Sequence, residues 1–118
     1  MTVILLTTDL TVVSQVQGAA ARAGAAMRAV TSESAAVELC VAEPAELLII
    51  DLNAPSLDIK ALVEQVKNST IVPPRMIAFG PHVHKERLAA AREAGCGDVV
   101  SRGRFLSQLD AILGRGTI

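Results

Sequence analysis

Two carboxylates far apart in the chain carry the clearest chemical signal. Asp51 closes a run of four large aliphatics, Leu47-Leu48-Ile49-Ile50, that shows no polar alternation. Such a run reads as a short strand buried on both faces, the pattern of a central strand in a parallel sheet. Its carboxyl end opens onto the crevice where sheets of this kind bind ligands. Asn53, Pro55 and Asp58 follow in a segment that must turn the chain back into a helix. An Asp at a strand end can equally do no more than close a turn. Asp9 decides between the two readings, because it lies just past another apolar run, Val3-Ile4-Leu5-Leu6. If the two strands are neighbours, Asp9 and Asp51 converge and can share a hard divalent cation such as Mg2+.

Other reactive residue types fare less well. His82 and His84 form a His-x-His pair, but no third ligand is spaced nearby, so they read as solvated imidazoles. Thr7-Thr8-Asp9-Leu10-Thr11 offers hydroxyls for a flavin phosphate, yet it lacks the glycines that let a backbone approach a phosphate closely. Cys40 and Cys96 belong to no Cys-x-x-Cys motif and read as small core residues of a reducing compartment. Arg102, Arg104 and Arg115 read as a solvated face, with phosphate binding at Arg102 the one sharper role.

The elements that position these residues follow from composition and periodicity. With 118 residues, 51% of them hydrophobic and 2% aromatic, the chain has material for one domain with an aliphatic core. The scarcity of aromatics argues against nucleic-acid recognition by base stacking, and a net charge of -1 argues against a general polyanion binder. Charge is unevenly spread: residues 1–84 carry a net -3 and residues 85–118 a net +2. No basic leader precedes the first apolar run, and no apolar segment approaches the roughly 20 residues of a membrane span, so a cytoplasmic location without membrane contact is expected.

Strand-like and helix-like segments alternate. Residues 2–7 form a first strand, followed by a helix to about residue 22 that Thr8 can cap. Val12, Val13, Val16, Ala20 and Ala23 give that helix an apolar stripe, and Gly24 stands at its C-terminal cap. Residues 26–30 make a second strand, and Ser32 or Ser34 caps a helix that Pro44 stops. After the Asp51 strand come a helix over 59–67, a strand over 76–79 and an alanine-rich helix over 84–94. A strand over 98–101 and a last helix over 105–113, ended by Gly114, complete the chain. Five strands alternating with five helices predict an α/β (βα)5 three-layer sandwich, because right-handed crossovers place helices on both faces of a parallel sheet. The flavodoxin-like strand order 2-1-3-4-5 makes the first and third strands neighbours.

The residues around these motifs resemble the receiver (CheY-like) domains of two-component response regulators, over essentially the whole chain. Leu5-Leu6-Thr7-Thr8-Asp9-Leu10 resembles the first strand of a receiver and its acidic pair, with Thr8 in place of the first acid. The segment from Ile49 to Asp58 resembles the phosphoacceptor strand and loop, with Asp51 at the phosphorylated position. The segment from Ala94 to Gly103 is similar to the region around a receiver's fifth strand. The resemblance implies phosphoryl transfer from a histidine kinase to Asp51, with Mg2+ held by Asp9, Asp51 and the backbone carbonyl of Asn53. Metal, hydroxyl and ammonium groups neutralise the charge in such a transfer.

Measured against that pattern, Gly80 stands where a Thr or Ser hydroxyl is expected, Val99 where an aromatic ring is expected, Arg102 in place of a lysine and Gly103 in place of a proline. An uncharged Thr8 implies weak Mg2+ binding. Arg102, planar and bulkier than lysine, is expected to pair with Asp51 itself. The resulting expectation is an atypical receiver that is phosphorylated weakly or not at all and works by protein–protein contact. A working phospho-accepting receiver is the alternative reading, and a small-ligand-binding flavodoxin-like protein a third. Partners implied are a histidine kinase or other signalling protein. A homodimer through the fourth helix, fifth strand and fifth helix is included, with Lys85, Arg92, Arg102 and Arg104 exposed there.

Overall fold

The computed structural model describes residues 1–115, the side chain of Arg115 excepted. Five strands form one parallel sheet: β1 (Thr2–Leu6), β2 (Ala26–Val30), β3 (Leu47–Asp51), β4 (Arg75–Gly80) and β5 (Asp98–Ser101), in the order β2-β1-β3-β4-β5. The (βα)5 sandwich and the strand order expected from the sequence are therefore both present. Helices α1 (Leu10–Ala23), α2 (Glu33–Ala42), α3 (Ile59–Ser69), α4 (Lys85–Ala94), α5 (Arg102–Ser107) and α6 (Leu109–Arg115) cover its two faces.

Strand alternation divides the core. Val3, Leu5, Leu47, Ile49, Ile77 and Phe79 face α1, α5 and α6, while Ile4, Leu6, Leu48, Ile50, Met76 and Ala78 face α2, α3 and α4. All five residues of β3 are buried, because helices cover the sheet on both sides and leave its central strand no solvent face. The two phenylalanines stack at a ring-centroid distance of 4.2 Å, Phe79 from β4 on Phe105 from α5. Both are fully buried, so the whole aromatic content serves to fasten α5 to the sheet.

Several local expectations are corrected. Asp9, not Thr8, caps α1, its carboxylate accepting from the backbone N–H groups of Thr11 and Val12. Ala19 rather than Ala23 completes the buried stripe of that helix. Ser32, one of the two caps expected, does start α2 by accepting from the Ala35 N–H. The single last helix expected over 105–113 is two pieces. Ser101 accepts from the Arg104 N–H, which starts α5 directly after β5, and Gln108 leaves helical geometry at ψ 17°. Gly114, expected to end the last helix, lies inside α6. Of the arginines read as a solvated face, Arg104 is exposed, Arg102 is ion-paired, and the side chain of Arg115 lies outside the described residues.

Candidate functional site

Strand register decides which residue meets Asp51. Leu6 of β1 pairs with Ile50 of β3, so one step further the neighbours are Thr7 and Asp51. The Thr7 hydroxyl donates to Asp51 Oδ2 at 2.6 Å, and the backbone N–H of Asn53 donates to Asp51 Oδ1 at 2.9 Å. Thr7 is 1% and Asp51 4% exposed, and they are the two buried polar residues among the described residues. A buried polar group without a partner costs free energy, and here both carboxylate oxygens have one. The Thr7 oxygen is occupied as well, since it accepts from the Asp9 backbone N–H at 3.1 Å.

Asp9 sits two residues beyond the strand and has other partners. Its Oδ1 accepts from Thr11 N at 2.9 Å and Val12 N at 3.3 Å, while its Oδ2 faces Arg102 Nη1 at 2.7 Å. The Arg102 guanidinium, together with those two backbone N–H groups, holds the Asp9 carboxyl below the usual carboxylate range against an opposing desolvation effect. This corrects the expectation for Arg102: the first residue of α5 pairs with Asp9, not with Asp51. The side chains of the pair remain 38% and 31% exposed, so solvent screens their attraction.

Asn53 is exposed on the loop after β3, where its side-chain Oδ1 accepts from Arg87 Nη1 of α4 at 2.9 Å. Beside this contact an open cavity of about 650 Å³ lies between the loop and α4, lined by Ala54, Ser56, Leu57, Arg87 and Ala90 among others. Ser56 takes φ 57°, in the left-handed region, where the loop turns toward α3.

Gly80 ends β4 opposite Ser101 of β5. A Cβ at Gly80 would stand 3.3 Å from Leu52 Cβ, so the missing side chain is replaced by Leu52 packing over the strand end. The one nearby strand-end hydroxyl on that side, Ser101, is engaged in capping α5. Val99 is half-buried and packs against the cluster beneath α2, α3 and α4.

His82 is exposed, and His84 precedes α4 without giving a side-chain capping bond. Among the described residues, no three His, Cys, Asp or Glu side chains converge to hold a metal ion. Burial pushes the Cys96 thiol up to about 11 despite the neighbouring Lys67, and it raises Cys40 too. Neither is a thiolate at neutral pH, which fits their reading as core residues. No helix among the described residues is long and apolar enough to cross a membrane.

The donor set does not fit Mg2+. This ion demands near-octahedral oxygen coordination and gives up its water reluctantly, so protein sites offer it carboxylates that point at one place. Asp51 points at Thr7 and the Asn53 N–H, while Asp9 points at its own helix and Arg102. Of the expected trio, the carboxylates of Asp9 and Asp51 are turned to different partners, while Asn53, whose backbone carbonyl is the expected ligand, gives its side chain to Arg87. Sequence reasoning names Thr7 only within a hydroxyl-rich stretch, not as the partner of Asp51, and does not single out Arg87. Thr7 is the first residue after the apolar run of its strand, as Asp51 is of its own.

No protein-family model matches the sequence, and no curated protein matches it. Solved structures do. The receiver domain of a sensor histidine kinase from Pseudomonas aeruginosa, which has a magnesium ion coordinated in its active-site cleft, superposes with a TM-score of 0.81 at 17% identity, covering 98% of each chain. A response regulator from Chloroflexus aurantiacus reaches 0.78 at 20% identity over 97% of this chain and 98% of its own. A two-component response regulator from Clostridium difficile reaches 0.77 at 13% identity over 100% and 99%. These likenesses establish the fold, which is that of response-regulator receiver domains.

Proposed function

We propose that this chain is a receiver-type signalling module that acts by protein–protein contact, in the cytoplasm, with Asp51 phosphorylated poorly or not at all. The observation that carries the reading is the Thr7–Asp51 hydrogen bond, which satisfies the carboxylate with a neutral hydroxyl. Phosphoryl transfer spreads charge over oxygens that cations must neutralise. Two cations that pair with residues around the site are committed there, Arg102 to Asp9 and Arg87 to Asn53. Gly80 offers no hydroxyl and Val99 no ring, so a modified Asp51 has little differential contact with which to shift a conformational equilibrium. No step of this reading runs through Mg2+.

The partner surface in this reading is the face of α4, β5 and α5. Lys85, Arg92 and Arg104 are exposed there, which suits an acidic patch on a histidine kinase, another signalling protein or a second copy of the chain. Low salt strengthens such a contact. The reading includes neither a membrane nor a nucleic acid as partner. The second reading, a working phosphoacceptor, is favoured by one observation: Asp51 does stand at the carboxyl end of the central strand, where a nucleophilic carboxylate belongs.

Incubation with acetyl phosphate and Mg2+, followed by intact-mass measurement, separates the two. Little or no added phosphoryl mass is expected. Stoichiometric modification that Asp51→Asn abolishes supports the second reading instead.

A further inference from the structure

We infer that Asp51 is a cation-free site in this chain and that Thr7 is the residue that makes it so. The inference concerns the same carboxylate as the proposed function but requires no signalling role. It rests on the direction of one proton. Thr7 Oγ1 accepts the Asp9 backbone N–H at 3.1 Å, which leaves its single hydroxyl proton to point at Asp51 Oδ2, 2.6 Å away. That proton takes one of the oxygen's lone pairs, and it puts a neutral donor where a second anionic ligand would have to stand for the site to hold a divalent cation. On the other oxygen the Asn53 N–H is donated in the same way. Two donors thus converge on a carboxylate that is 4% exposed, and they supply the hydrogen bonds by which such a group is held without a metal.

Asp9 cannot make up the deficit in place. Turning it toward Asp51 would release two α1 capping bonds and the Arg102 pair together. Position 8 does not serve either, since Thr8 is exposed while Thr7 is buried. Position 7 is the one that strand register sets beside Asp51. A carboxylate there would lie within hydrogen-bond reach of Asp51, and two carboxylates at that separation are stabilised by sharing a divalent cation. One side chain therefore determines whether this edge of the sheet takes a cation.

The test uses Mn2+ as probe and the paramagnetic broadening of backbone amides at Asp9, Asp51 and Asn53 as readout. In the unmodified protein, no saturable broadening is expected at these amides up to tens of millimolar Mn2+. Thr7→Asp is expected to bring saturable broadening there, competed by Mg2+ and lost in Thr7→Asp/Asp51→Asn. Because two buried carboxylates repel, the variant's melting temperature is followed with and without Mn2+, and a rise on adding the ion is expected. Saturable broadening in the unmodified protein that Asp51→Asn removes would overturn the inference. So would a folded Thr7→Asp that takes up no Mn2+, or one that stays unfolded in saturating Mn2+. Failure of the signalling reading, such as stoichiometric phosphorylation of Asp51, registers in the mass measurement and not in these titrations.

Discussion

Asp51 and Asp9 lie on the same edge of the same sheet, and the chain treats them by opposite means. Asp51 is buried, its charge held by a neutral hydroxyl and a backbone N–H. Asp9 is about a third exposed, 31% by its side chain, and faces a guanidinium while capping a helix. The difference comes from two residues of chain. Thr7 still follows the strand's register and meets Asp51, whereas Asp9 already belongs to the first turn of α1 and aims its oxygens at that helix's unpaired N–H groups. Similar apolar-run-then-acid sequence patterns can thus supply a strand-end carboxylate in one place and a cap in another.

The comparison breaks first at Thr7. Thr7→Val keeps the shape, removes the donor and leaves a buried carboxylate oxygen unpaired, which is expected to lower unfolding free energy by about 1–3 kcal/mol. Urea denaturation at neutral pH measures it. A loss near zero would mean that the hydroxyl bond is exchangeable for water and that Asp51 is not held as described.

Gly80→Ser sharpens the same contrast from the neighbouring strand. The added Cβ would sit 3.3 Å from Leu52 Cβ, so Leu52 must yield by a few tenths of an ångström, and a cost of about 1 kcal/mol is expected. The same denaturation series reads it. Restoring a hydroxyl at this position is expected to leave Asp51 modification by acetyl phosphate as low as before, since position 80 adds no cation.

At the exposed pair the expected effects are smaller and depend on conditions. Asp9 titrates below the usual carboxylate range because Arg102 favours its charged form. A depressed carboxyl contributes stability that is present above its ordinary pKa and is lost as pH falls through the lowered one. Arg102→Ala is therefore expected to move the Asp9 titration upward in a carboxyl-carbon NMR experiment. Its effect on stability is expected to vanish in acid and to shrink in molar salt. Thr7→Val should keep its cost near neutral pH in molar salt, because its contact is neutral on one side and dry.

Much of this was readable from residue order. The unbroken aliphatic run before Asp51 dictates a strand covered on both faces, and alternation of such runs with capped helices dictates a parallel sheet, for which 2-1-3-4-5 is a common strand order. What escaped was finer than an element. That Thr7 rather than Asp9 meets Asp51 depends on where β1 stops and α1 starts, a matter of two residues that periodicity does not resolve. The break at Gln108 escaped because Leu106, Leu109, Ile112 and Leu113 keep a helical spacing across it. The Arg87–Asn53 contact joins α4 to the β3 loop through side chains distant in sequence, and no local pattern announces it.

The claim at the centre of this account is that the state of Asp51 is not transmitted across the sheet. Amide NMR shifts recorded on adding beryllofluoride and Mg2+ test it most directly, read at Asn53, Gly80, Val99 and Arg102. The account predicts no saturable shifts beyond the immediate neighbours of Asp51. Large shifts spreading through α4 and β5, and abolished by Asp51→Asn, would contradict it.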